Sequence, residues 1–277
     1  MDLITKLHRS AEPLSLEKIK SQLRLLKRPI VALSGGLDSS VLAYLVREVK
    51  GREMLTVSSN TWSLSSRERD DLEEFVKVYD IPHVYTKTRE FEDEKYLAND
   101  KDRCYFCKFH LFDRLSELAV ESNYQEILFG AQADDVGDYR PGHRAADEFK
   151  VMAPLLDAHW GKTQIRKFAE SIDLKIAGKP ASPCLASRLA YGVRVTPDRL
   201  QRIERAETIV TERKVKVCRV RDLDNHASIE IGSGETISES ERVLVINEIK
   251  ELGFDSVVFD DRGYRQGSLN DALSKSI

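Results

Sequence analysis

VALSGGLDSSVLAYLV, residues 31–46, is the stretch on which the reading of this chain turns. An apolar run stops at Ser34, Gly35 and Gly36, then resumes with helical spacing. The pattern predicts a buried strand over 28–34, a tight turn, and a helix over 38–50 closed by Gly51. Such a turn can cradle phosphate, because backbone N–H groups and the positive end of the helix dipole face the anion. The glycines let the backbone approach closely, and Ser34, Ser39 and Ser40 offer hydroxyl donors. The plainer alternative is a strand-to-helix turn capped by Asp38. The complete S-G-G-L-D-S behind an apolar strand favours the phosphate site. No lysine follows the second glycine, as it does in G-x-x-x-x-G-K-[ST], so chemistry at a γ-phosphate is disfavoured.

Strands and helices alternate on either side of this turn. Residues 16–26 have helical spacing behind Ser15, and 53–60 read as a strand. Ser65 or Ser66 can cap a helix over 67–80 that stops at Ile81-Pro82, and 83–88 are strand-like. A helix over 107–123 sets 109, 112, 115, 116 and 119 on its apolar face, and the strand at 125–132 ends in Gly130. Short strands separated by such helices imply an α/β fold with a Rossmann-like, doubly wound parallel sheet. The pattern then changes. A helix over 161–174 precedes a Pro/Ser/Ala-rich loop at 179–192, and Thr196-Pro197 caps a helix over 198–213. Strand-like runs at 215–222, 228–232 and 257–261, with a helix over 238–253, predict a small C-terminal α+β domain. The expected division is 1–194 and 195–277.

Composition narrows the function classes. The 277 residues are 41% hydrophobic and 32% charged, as in an ordinary soluble globule. No apolar run approaches the ~20 residues of a membrane span, and the start lacks a secretory apolar core. Four cysteines are too few for a disulfide framework. A cytoplasmic protein in a reducing compartment, with no membrane partner, is expected. The net charge of −3 is spread evenly along the chain, which argues against a nucleic-acid partner.

SGGLDS resembles the pyrophosphate loop of the ATP pyrophosphatases, the PP-loop enzymes that adenylate a substrate oxygen and release pyrophosphate. The resemblance implies ATP as substrate and Asp38 as a holder of Mg²⁺. The attacking group then decides the enzyme: ammonia in some synthetases, sulfur in thiolases. Here the cysteines bear on the choice. Cys104 and Cys107 form C-Y-F-C, and Cys184 lies in S-P-C-L-A-S-R. A CxxC brings two thiolates close enough to share a metal. Zinc would want a fourth ligand, with His110 the nearest candidate; three cysteines with one open position suit a 4Fe–4S cluster better. An incidental CxxC is the remaining alternative. Cys218, in a strand-like run, reads as a small buried hydrophobe.

SGGLDSS, CYFCK, GDYRPG (137–142), ASPCLASRLAYG, CRVRD and DDRGYRQGSLND (260–271) recur in order and together resemble the LarE sulfur transferases over nearly the whole chain. The resemblance implies adenylation of a carboxylate of pyridinium-3,5-biscarboxylic acid mononucleotide and replacement of oxygen by sulfur, on the route to a nickel-pincer nucleotide. One form of that family sacrifices the sulfur of a single cysteine, at a position matching Pro183. This chain matches the other form, in which Cys104, Cys107 and Cys184 hold a 4Fe–4S cluster that relays sulfide from an external donor. Lys108 is then placed to neutralise the acyl-adenylate or pyrophosphate, or else is a solvated helix lysine. Asp138 and Arg140 fall in a turn beyond the Gly130 edge, where doubly wound sheets bind ligands. Ser187 and Arg188 adjoin Cys184 and can hold AMP or substrate phosphate.

Arg219 and Arg221 alternate on a strand and so share one face. With Arg213, Lys214 and Lys216 they form either a solvated edge or a grip on a mononucleotide phosphate. Glu230, on the next strand, is their partner or a Mg²⁺ ligand. A homo-oligomer is expected. The rivals are a tRNA thiolase, which should carry a basic extension, an ammonia-dependent synthetase, which leaves the cysteines idle, and a non-catalytic adenine-nucleotide sensor.

Overall fold

A computed structural model describes residues 16–135, 141–179 and 183–265. Helix α1 (16–25) buries Ile19 and Leu23, one turn apart. Strand β1 (Pro29–Ala32) is buried throughout and leads through the glycine turn into α2 (Leu37–Lys50). There follow β2 (Leu55–Ser59), α3 (Ser66–Val78), β3 (His83–Thr86) and the single turn α4 (Glu94–Leu97). Helix α5 (Arg103–Glu121) carries the CxxC and leads to β4 (Glu126–Phe129). Beyond it lie α6 (Pro141–Glu148), α7 (Pro154–Asp157) and α8 (Lys162–Ser171). The C-terminal part has α9 (Pro197–Thr211), β5 (Cys218–Asp222), β6 (His226–Ile231), α10 (Glu239–Lys250) and β7 (Ser256–Phe259).

Among the described residues, the first sheet has the order β3-β2-β1-β4 and every pairing is parallel. The alternation of strand side chains makes it doubly wound. Val31 and Leu33 pack into one core with Leu42, Leu45 and Ile165, whereas Ile30 and Ala32 pack into another with Phe112 and Leu115. The chain steps outward from β1 to β2 and β3, then returns to the other side of β1 as β4. Ligands of such sheets bind outside the carboxyl ends of the strands at this switch. The glycine turn is there.

Helix α5 starts at Arg103, four residues earlier than the apolar spacing indicates. The Arg103 amide donates to the Asp100 carbonyl at 2.9 Å, so a turn feeds directly into the helix and both cysteines fall in its first turns. Its buried apolar side chains are Leu111, Phe112, Leu115 and Ala119. Ser116, expected on that face, donates its hydroxyl back to the Phe112 carbonyl at 2.8 Å.

A second compact unit comprises Trp62–Ser65, Phe91–Arg103 and the chain from Pro183 onward. Its boundary therefore differs from a division at 195. The reason is hydrogen bonding. The Val195 amide donates to the Leu97 carbonyl at 2.9 Å and the Gly192 amide to the Asn99 carbonyl at 3.1 Å. The unit's sheet has the order β5-β6-β7, antiparallel then parallel. Val210, Val220, Ile229, Val245 and Ile249 form its core with α9 and α10. Arg219, Arg221, Ser228 and Glu230 alternate with these core residues and lie on the opposite face of the sheet.

Candidate active site

The glycine turn is built by its own side chains. Gly35 holds φ +75°, a left-handed conformation that glycine adopts without a Cβ clash. Gly36 is the N-cap of α2 and provides no capping side chain, and Asp38 falls in the first turn. The cap is thus Gly36, not Asp38. The Ser39 hydroxyl donates to the Gly36 carbonyl at 3.0 Å and accepts from the Ser34 amide at 3.2 Å. Ser34 Oγ lies 3.0 Å from it, exposed at the surface. Ser39 and Ser40 are both buried; Ser39 shapes the loop through its hydroxyl, the Ser40 hydroxyl has no hydrogen-bond partner among the described residues, and Ser34 and Gly36 are exposed.

Gly130 closes this corner of the site from β4. A Cβ on it would meet Ser39 N at 2.7 Å and Ser39 Cα at 2.8 Å. Only a bare backbone lets β4 run this close to the start of α2. Just beyond, Gln132 is buried and its amide donates to the Asp135 carboxylate at 2.9 Å. The Asp134 carboxylate accepts from the Lys162 amide at 2.7 Å and caps α8. Gln132 and Asp135 bond each other locally, whereas Asp134 acts through a partner 28 residues away, which no local pattern marks. Asp138 and Arg140 lie outside the described residues.

On α5, Cys104 is exposed and Cys107 half-buried, and neither is in a disulfide. Lys108 lays its stem on α6: a Cβ on Gly142 would meet its Cγ at 3.0 Å. Its ammonium sits 6.0 Å from the centre of the Phe112 ring. Both anchor Lys108 more firmly than a freely solvated lysine. The Arg144 guanidinium stacks 4.1 Å above Tyr105, joining α6 to the same turns of α5.

In the second unit Cys184 is exposed and precedes a 3₁₀ turn, Leu185–Arg188. Arg188 is buried, and Glu207 grips its guanidinium at 2.9 and 3.2 Å. Its Nη1 donates to the carbonyls of Pro183 and, at 3.0 Å, Cys184. Arg188 therefore ties the cysteine loop to Glu207 of α9. The Ser187 carbonyl accepts from Arg221 Nη1 at 3.0 Å. Glu207, in the middle of α9, carries no sequence signal for this role.

Arg219 and Arg221 are 8% and 6% exposed, which removes the solvated-edge alternative for them. Arg221 pairs with Glu230 at 3.0 Å, so Glu230 serves as partner. Arg219 lies 5.0 Å from the Tyr264 ring centre. Burial and the neighbouring Arg188 charge hold its pKa below the usual arginine value. Arg213 instead pairs with Glu248, and Lys214 and Lys216 are exposed. Cys218 is buried, its thiol pushed up to about 12 by desolvation and by Glu207. Among the described residues, no three His, Cys, Asp or Glu side chains are grouped as a metal site.

Comparison with known proteins bears on this arrangement. The asparagine synthase family matches residues 16–108, the span that holds the glycine turn. The pyridinium-3,5-bisthiocarboxylic acid mononucleotide synthase of Lactiplantibacillus plantarum is 30% identical over 91% of this chain and 92% of its own length. The chain belongs to the LarE family. It is an ATP-dependent, sulfur-transferring enzyme built on a PP-loop domain. Other relatives are an uncharacterised protein of Synechocystis, 34% identical over 94% of this chain and 98% of its own, and one of Methanocaldococcus jannaschii, 30% identical over 86% and 91%. Among the described residues, no helix of this LarE-family enzyme is long and apolar enough to cross a membrane.

Proposed function

We propose that this enzyme adenylates a carboxylate of pyridinium-3,5-biscarboxylic acid mononucleotide and replaces oxygen with sulfur, in the route to a nickel-pincer nucleotide. The observation that carries the reading is the lysine-free glycine turn at the switch between β1 and β4. Its exposed Ser34 and Gly36 and the start of α2 suit a pyrophosphate leaving group. The name of the Lactiplantibacillus relative supplies the substrate class.

Each group has a task in this reaction. Gly35, Gly36 and Ser34 hold the β- and γ-phosphates, and Asp38 in the first turn of α2 is the residue to hold Mg²⁺. The substrate carboxylate attacks the α-phosphorus, the α–β bond breaks, and pyrophosphate leaves with the electron pair. Lys108 offsets the charge on the acyl-adenylate. Arg219, with Arg221 braced by Glu230, receives the substrate's own phosphate. Asp138 and Arg140 complete the pocket for the mononucleotide.

Cys104, Cys107 and Cys184 fit a thiolate-bound cluster by donor type: none is in a disulfide, and Cys104 and Cys184 are exposed. When bound, a 4Fe–4S cluster would supply one iron with an open position for an external sulfur ligand. Sulfide from the external donor would attack the activated carboxylate carbon, and AMP would leave with the electron pair to give the thiocarboxylate.

Incubation with ATP, Mg²⁺ and the pyridinium dicarboxylate tests the reading. AMP and pyrophosphate should form in equal amounts, and only when the acid is present. ADP and phosphate as main products would overturn it.

A further inference from the structure

Asn99 is wholly buried and has a left-handed backbone, φ 55°. Its side-chain amide donates to the carbonyls of Ala190 at 2.7 Å and Val193 at 2.9 Å. Its Oδ1 accepts from Arg103 Nη1 at 2.6 Å. The same Nη1 donates to the Ala186 carbonyl at 2.8 Å, and Arg103 itself is buried. Ala186 lies in the turn that begins just after Cys184 and accepts there from the Leu189 amide at 3.2 Å. The Cys184 carbonyl, at the other end, accepts from the Ser187 amide and from Arg188. Two buried guanidinium groups thus hold one short turn, Arg188 by the Cys184 carbonyl and Arg103 by the Ala186 carbonyl. Arg103 is also the residue bonded to Cys104.

We propose that Arg103 is a positioning residue for sulfur transfer: anchored by Asn99, it fixes the turn that carries the Cys184 thiol. A guanidinium is costly to bury. An apolar side chain of similar length would fill the space without orienting the Ala186 carbonyl, and directional donors are what the planar guanidinium adds. The inference rests on the sulfur-transfer reading above, in which Cys184 takes part.

Arg103→Met keeps the bulk and removes the donors. Amide hydrogen exchange should speed up at least tenfold at Ser187 and Leu189 and stay unchanged within α9. AMP and pyrophosphate formation should remain within about twofold of the parent, while sulfur transfer falls about ten- to hundredfold, the loss expected for a charged hydrogen bond. Arg103→Lys, which keeps the charge, should recover part of both effects. In Arg103→Ala, free guanidinium at a non-denaturing concentration should restore transfer where sodium chloride does not. Unchanged exchange in the turn, or faster exchange with undiminished transfer, would overturn the proposal. Loss of protection through α9 in both Arg103→Met and Arg103→Lys would also overturn it, by showing a purely structural role. If the parent enzyme made no AMP, the functional reading would fail, and the exchange result would still decide whether Arg103 holds the turn.

Discussion

Gly130 has no side chain, yet its position sets how closely β4 approaches the phosphate turn. A methyl group there must displace the Ser39 backbone, 2.7 Å away, and backbone cannot rotate aside as a side chain can. Gly130→Ala should cost about 1–3 kcal/mol, read by urea denaturation, and raise the KM for ATP by shifting the first turn of α2. An unchanged KM would detach Gly130 from the nucleotide site. Cys218 is a contrasting residue. With its thiol pushed up to about 12, it stays protonated and unreactive at pH 8. In the folded, cluster-free protein, iodoacetamide should label Cys104 and Cys184 and spare Cys218, which should become labelled on unfolding. Cys218→Ala should leave sulfur transfer intact.

Strand β5 divides its labour between two faces. Val220 faces the core while Arg219 and Arg221 face away from it, and burial distinguishes these two from the exposed Lys214 and Lys216. A sequence shows five cations within nine residues; it does not show which of them fold under cover. If Arg219 receives the substrate phosphate, Arg219→Ala should raise the substrate KM far more than the ATP KM. A lost charged hydrogen bond of about 1.5–3 kcal/mol corresponds to roughly ten- to hundredfold. Equal effects on both constants would assign Arg219 to the packing of Tyr264 alone. Helix α5 makes a related point. Its start at Arg103 depends on a turn through Asp100, which apolar spacing does not register.

At the scale of the whole molecule, the two chemical steps draw on different parts of the chain. In the proposed reaction activation draws on the glycine turn of the first unit, whereas the cysteines are divided, Cys104 and Cys107 falling in that unit and Cys184 in the second. Replacing Cys104, Cys107 or Cys184 singly by Ala should abolish sulfur transfer while AMP and pyrophosphate still form. After several turnovers with external sulfide the intact protein mass should be unchanged. Conversion of Cys184 to dehydroalanine, a loss of one H₂S, would show instead that the enzyme gives up its own sulfur.

The strand order that places the switch between β1 and β4 was not legible in the sequence, whereas the parallel sheet, the glycine turn and the small C-terminal sheet were. Each follows from short-range chemistry: side-chain periods of two and of about 3.6, caps, and the left-handed conformation that Gly35 supplies. Tertiary structure decided what those elements do to one another. It buried Ser39 under the loop it shapes, joined Arg188 to Glu207 and the Cys184 loop, and paired Arg221 with Glu230. It also joined Asn99 and Arg103 to a turn more than eighty residues away. These assignments rest on burial and on hydrogen bonds between distant segments. A charged side chain's role depends on whether water or a protein carbonyl faces it, and that is settled only when the chain has folded.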